Sequence, residues 1–106
     1  MAQVRILLMP VEMRREMVIV VGDRHAELVK TNLDKFLMLP PMEAGLSSYP
    51  RGGQDFAEEM FDLTNNPGRE EERTERYGNG RSLSSGDVVR TETGDFLCCS
   101  FGWQKL

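Results

Sequence analysis

The sequence predicts a small α+β domain in which an antiparallel sheet, built from N-terminal strands and a C-terminal β-hairpin, packs with two amphipathic helices. Apolar residues alternate with a period of two near both ends of the chain and recur at helical spacing in two segments between them. The 106 residues suffice for one domain, 1–106, and not for two that each bury a core.

Each element has a local cause. Val4, Ile6 and Leu8 alternate with Arg5, Leu7 and Met9, and Pro10 ends the run, giving a first strand with one face more apolar than the other. Val11 to Glu16 is a turn, an irregular piece or a short helix. Met17 to Val21 is β-branched, nearly continuously apolar and closed by Gly22-Asp23, as in a strand buried on both faces and paired with the first. Asp23 is a candidate N-cap, and Val29, Leu33, Phe36 and Leu37 share one helical face, predicting a helix from Arg24 to Leu37. Pro40-Pro41 stops it. The glycines, serines and Pro50 that lead to Gly53 are loop chemistry, and so long a loop is either functional or mobile.

A second helix starts with Asp55 as N-cap and Glu58 three residues on, an aspartate form of the capping box, and buries Phe56, Met60 and Leu63, with Phe61 widening the face. Asn65-Asn66-Pro67-Gly68 ends it. A charged excursion over 67–80 comes next, in which Arg69 to Arg76 form a solvated helix or a mobile segment. From Arg81 the pattern turns to strand, and Gly86 to Thr91 pairs with Phe96 to Trp103 as a hairpin with a glycine in its turn. Leu97, Cys99, Phe101 and Trp103 share one face, with Phe96, Cys98 and Ser100 on the other; the bulkier set is expected against the helices.

Composition excludes more than it names. Hydrophobic residues are 40% and charged residues 28%, ordinary for a soluble globular chain. With 17 acidic against 13 basic side chains the net charge is -4, so the summed field opposes nonspecific binding to nucleic acid or anionic membrane. Ile6 to Val11 is far too short to cross a membrane and no signal-peptide cleavage pattern comes after it, so the expected compartment is the cytoplasm. Cys98 and Cys99 are adjacent, face opposite sides of a strand and form no strain-free bridge with each other.

Catalytic chemistry finds no pair of groups. His25 is the sole imidazole, at a helix start, and Ser82, Ser84 and Ser85 before Asp87 read as residues that shape a turn. Gly78-Asn79-Gly80-Arg81 lacks the length and the Lys-Ser/Thr ending of a phosphate loop. No catalytic residue, cofactor or metal is assigned, and an enzyme is not expected.

The distribution of charge is more informative. Residues 1–53 hold seven basic and six acidic groups, whereas 54–106 hold six basic and eleven acidic. Within 55–75, Asp55, Glu58, Glu59, Asp62, Glu70, Glu71, Glu72 and Glu75 stand against only Arg69 and Arg73, a net of -6. Such a segment suits a basic groove on a partner protein, including one that holds nucleic acid. Plain solubility is the competing explanation, since Arg69, Arg73 and Arg76 pair with neighbours at helical spacing. Tyr49, Tyr77 and Trp103 are the amphipathic aromatics favoured at interfaces, although Trp103 also serves as a core anchor for the terminus. The alternative reading is a nucleic-acid-binding module with a barrel-like C-terminal hairpin, contacting its ligand through Tyr77, Arg81, Arg90 and Trp103.

The helix end Phe61-Asp62-Leu63-Thr64-Asn65, the string Arg81-Ser82-Leu83-Ser84-Ser85-Gly86-Asp87-Val88-Val89 and the closing Ser100-Phe101-Gly102-Trp103 resemble the YodL-like domain family of bacterial mobile elements, phages and plasmids. The resemblance covers under half of the chain, from Met60 to Trp103. Pro67 to Gly80 is longer and more charged than the family pattern, and Cys99 stands where that pattern tends to place an aspartate. The family has no established catalytic residues, so the resemblance implies a context: an accessory protein of an invading element, acting in a bacterial host. Counter-defence inhibition, of anti-CRISPR or antirestriction type, is the role this context implies. The expected binding residues are Asp55, Glu58, Glu59, Asp62, Glu70, Glu71, Glu72, Tyr77 and Trp103, and the expected partner is a host protein such as a nuclease, with no membrane and no direct nucleic-acid contact.

Overall fold

The computed structural model describes residues 3–16, 22–43, 53–78, 82–99 and 102–106. In chain order its elements are β1 (Gln3–Leu8), α1 (Val11–Glu16), α2 (Gly22–Thr31), a 3-10 turn (Leu33–Lys35), β2 (Leu37–Met38), β3 (Met42–Glu43), α3 (Gly53–Asn65), a second 3-10 turn (Pro67–Arg69), α4 (Glu70–Arg76), β4 (Val88–Thr91), β5 (Gly94–Cys99) and β6 (Gly102–Lys105). The strands form one antiparallel sheet in the order β2-β1-β4-β5-β6, with β3 also pairing β1. The fold class is the small α+β arrangement that the periodicities predict.

The two side-chain rows of the sheet meet different helices. Val4, Ile6, Leu8, Val89 and Phe96 pack with Ala57, Met60 and Leu63 of α3 and with Leu83. Leu7, Met9, Val88 and Leu97 pack with Ala26 and Val29 of α2 and with Phe36, flanked by Met13 of α1. β1 is therefore buried on both faces. Burying so many aliphatic side chains, each worth about 1.5–3 kcal/mol, makes the sheet the centre of the core.

Several boundaries differ from the sequence expectations, each for a local reason. The first helix ends at Thr31 instead of Leu37, because Asn32 donates its side-chain amide to Leu28 O at 2.8 Å and closes the last turn, its backbone N–H being shared between Leu28 O and Val29 O. Leu37 then pairs with Leu8 in β2 and is exposed. The 38–53 segment is not all loop, since Met42–Glu43 pairs with β1. Leu39 N donates to Ile6 O, whereas Pro40 and Pro41 carry no N–H, so the β1 ladder breaks there and resumes at Met42 one residue out of register. The expected strand Met17 to Val21 lies outside the described residues; both edges of β1 are taken, by β4 and by β2 with β3.

The second helix begins at Gly53, ahead of the expected N-cap Asp55. Asn66 caps the 3-10 turn Pro67–Arg69, its Oδ1 accepting from Gly68 N at 2.9 Å with Pro67 in the first turn. The 67–80 excursion is folded through Gly78 as this 3-10 turn and α4; residues 79 and 80 lie outside the described set. The C-terminal hairpin reverses through Glu92-Thr93, with Thr91 opposite Gly94. Trp103 is not on the face of Leu97 and Cys99: β6 is a separate strand antiparallel to β5, whose register sets Trp103 opposite Cys98 and so on the α3 side. Phe101 lies outside the described residues.

Candidate functional site

The acidic segment is sorted by helical geometry into an inner and an outer set. On α4 the half-buried positions are Glu72, Arg73 and Arg76, preceded by Arg69, and the exposed ones are Glu70, Glu71, Thr74 and Glu75. This is the division expected when one side of a helix docks. The docked side carries an ion network. Arg69 Nη1 donates to Glu59 and, at 2.8 Å, to Asp62 Oδ2, while its Nη2 reaches Glu72 Oε2 at 2.6 Å. Arg76 Nη1 donates to the same Glu72 oxygen at 2.8 Å and lies 3.7 Å from Glu59. These bonds raise the Arg69 pKa, the Glu59 contact most, and hold the Glu72 carboxyl below its ordinary value through Arg69 first and Arg76 second.

Glu59 is only 5% exposed and therefore faces the interior, so it presents no charge to a partner. Asp62 and Glu72 are partly neutralised by the same two arginines. The side chains of Glu58, Glu70, Glu71 and Glu75 are exposed and form no salt bridge among the described residues. The Asp55 side chain lies outside the described set. The structure thus divides the expected binding residues into an arginine-paired group, the buried Glu59 with the half-exposed Asp62 and Glu72, and a surface group unpaired among the described residues, Glu58, Glu70 and Glu71, to which Glu75 belongs. In the sequence Arg69 and Arg76 read as cations paired with neighbours at helical spacing, and their bonds to Glu72 are of that kind; the contact of Arg69 to Glu59, ten residues back across a helix break, leaves no such signal.

The aromatic residues serve packing as well as surface. Tyr77 and Trp103 lie against the α3-side core, the Arg73 guanidinium sits 5.8 Å from the Tyr77 ring centroid, and Trp103 meets Phe61 edge to face at 6.3 Å. Arg90 is held by Asp95 through two bonds of 2.9 and 3.2 Å, and Arg81 lies outside the described residues. Tyr77, Trp103 and Arg90, three of the groups on which a nucleic-acid interface would draw, are engaged in these contacts.

The serine-rich string is structural in its contacts. Ser82 Oγ donates to Thr64 O at 2.6 Å, Leu83 N to Thr64 Oγ1 at 3.1 Å, and Asn65 Nδ2 to Leu83 O at 3.0 Å, which ties the α3 end to the segment that leads into β4. Asp87, fully buried, accepts from Met9 N at 2.8 Å, Arg14 Nη2 at 3.0 Å and Ser84 N at 2.9 Å. Gly86 N and Cys98 N bond Cys98 O and Asp87 O, a bulge that needs the positive φ of +99° at Gly86. His25 lies near this turn; burial and then Arg14 lower its pKa. Among the described residues no group of three or more His, Cys, Asp or Glu is arranged to hold a metal, and no helix is long and apolar enough to cross a membrane. The chain matches no protein-family model, no curated protein and no solved structure.

Proposed function

We propose that this protein is a non-enzymatic accessory factor of a bacterial mobile element, a phage or plasmid, that binds a host protein through the outer face of α4. The partner is a defence component, such as a nuclease, with a basic surface evolved to hold nucleic acid, and the encounter takes place in the bacterial cytoplasm. The observation that supports this reading is the sorting of charge. Two arginines neutralise the inward carboxylates and fix α4 on α3, while Glu70, Glu71 and Glu75 remain outward with no salt-bridge partner among the described residues. A fixed row of like charges steers association with a surface of opposite sign and gives it a strong salt dependence.

The test is affinity capture from bacterial lysate with and without nuclease. A protein partner that survives nuclease treatment is the expected result. Recovery of nucleic acid that disappears on nuclease treatment would replace this reading with that of a nucleic-acid-binding module.

A further inference from the structure

We propose that the outer edge of β6 pairs with β6 of a second copy of this chain, antiparallel, joining two sheets about a two-fold axis at Gln104. Backbone parity sets the register. Leu106 N donates to Asp95 O at 2.9 Å, so the peptide groups of Gly102, Gln104 and Leu106 point toward β5 and those of Trp103 and Lys105 point away from it. Among the described residues nothing pairs with these outward groups.

An antiparallel ladder pair exchanges both of its bonds only when the two residues turn their peptide groups toward each other. Setting Trp103 against Lys105 of the second copy, and Lys105 against its Trp103, satisfies every outward donor and acceptor of both strands. Gln104 then faces Gln104 of the second copy across the axis. The other symmetric registers place less of the described strand in good pairs: Lys105 against Lys105 opposes like charges, and Trp103 against Trp103 leaves each Lys105 without a described position opposite it. In the favoured register each ammonium lies beside an indole already fixed edge-on by Phe61, a charge match between cation and ring. The exposed Lys105 side chain, which lies over Gly94 in the single chain, swings outward to reach it. The opposite sheet edge is unsuited to the same use. Leu39 bonds inward to β1, so the next outward position is Pro40, which has no N–H to offer.

Sedimentation equilibrium on the full chain tests this. The mass is expected to rise from 12.1 kDa toward twice that value with concentration, and more readily at moderate salt, which screens the -4 charge of each copy. Lys105→Pro removes an outward N–H without touching the bonds to β5, and is expected to stay monomeric with unchanged circular dichroism. Gln104→Cys is expected to give a disulfide-linked dimer under mild oxidation, mapped to position 104, while the parent chain with Cys98 and Cys99 gives none. A wild-type chain that is monomeric at every concentration, a dimer that persists in Lys105→Pro, or a dimer in which Gln104→Cys does not cross-link would each overturn the proposal.

Discussion

Arg69 binds Glu59 from beyond the end of the helix that carries Glu59, and the carboxylate it holds is 5% exposed. The contact ties one side of α4, the helical one of the two forms expected for this segment, to α3 and leaves its other side to solvent. Removing the guanidinium leaves a buried carboxylate short of its main partner, with Arg76 at 3.7 Å as partial compensation. Arg69→Ala is expected to cost about 2–3 kcal/mol, within the range for breaking a partly buried ion pair and its charged hydrogen bonds. Urea unfolding measures it. Adding Glu59→Gln should recover part of the loss, so the two changes will not be additive.

Asp87 is expected to be the most sensitive position near the sheet end. It has no exposed surface and serves Met9 N, Ser84 N and Arg14 at once, so Asp87→Ala strands two backbone donors and a cation. The expected loss is about 3–4 kcal/mol in urea midpoint analysis. Gly86→Ala should cost about 1–3 kcal/mol by forcing a side chain into positive φ, with its Cβ built 2.9 Å from Met9 Cε.

Acidification should reduce stability in two windows. The folded His25 has a pKa below its ordinary 6.5, so the unfolded chain binds a proton there first and stability falls as pH drops below that value. His25→Gln should remove this first decline. Glu72 is held below its ordinary 4.5, so its contribution is present above that pH and is lost as pH falls through the lower folded value. Urea midpoints of the wild type, His25→Gln and Glu72→Gln across this range give the check.

Native thiols should react slowly. Burial, with Asp87 and Cys99 adding to it, pushes the Cys98 pKa up to about 12, and burial raises that of Cys99. The thiolate is the reactive form, so iodoacetamide at mildly alkaline pH should label neither residue in the folded chain and both in urea, read by intact mass.

The sequence signal is strongest where a periodicity or a turn residue acts locally. Val4, Ile6 and Leu8, the hairpin through Gly94, and Phe56, Met60 and Leu63 are legible because alternation, glycine and helical spacing are short-range. The end of α2 is not, since Leu33, Phe36 and Leu37 continue the helical spacing while Asn32 terminates the helix by a side-chain bond that periodicity does not register. The two-faced burial of β1 depends on α1 and α2 covering its second side. The division of the acidic residues into inner and outer sets is hidden for the same reason: Arg69 meets Glu59 and Asp62 only after the chain has turned at Pro67. The serine string carries a clear local signal, a turn before a strand, while its bonds to Thr64 and Asn65 are long-range.

The central claim is that the outer charge of α4 binds a protein partner. The most direct measurement is nuclease-treated capture from bacterial lysate with two baits, the wild-type chain and Glu70→Lys/Glu71→Lys/Glu75→Lys. These three positions are exposed and make no salt bridge among the described residues, so the variant should keep the fold, each substitution changing stability by about 0.5–1 kcal/mol at most, Glu70 and Glu71 through the first turn of α4. The account predicts a partner retained by the wild type, released as salt is raised, and absent from the variant. A partner held equally by both baits, or by neither, would contradict it.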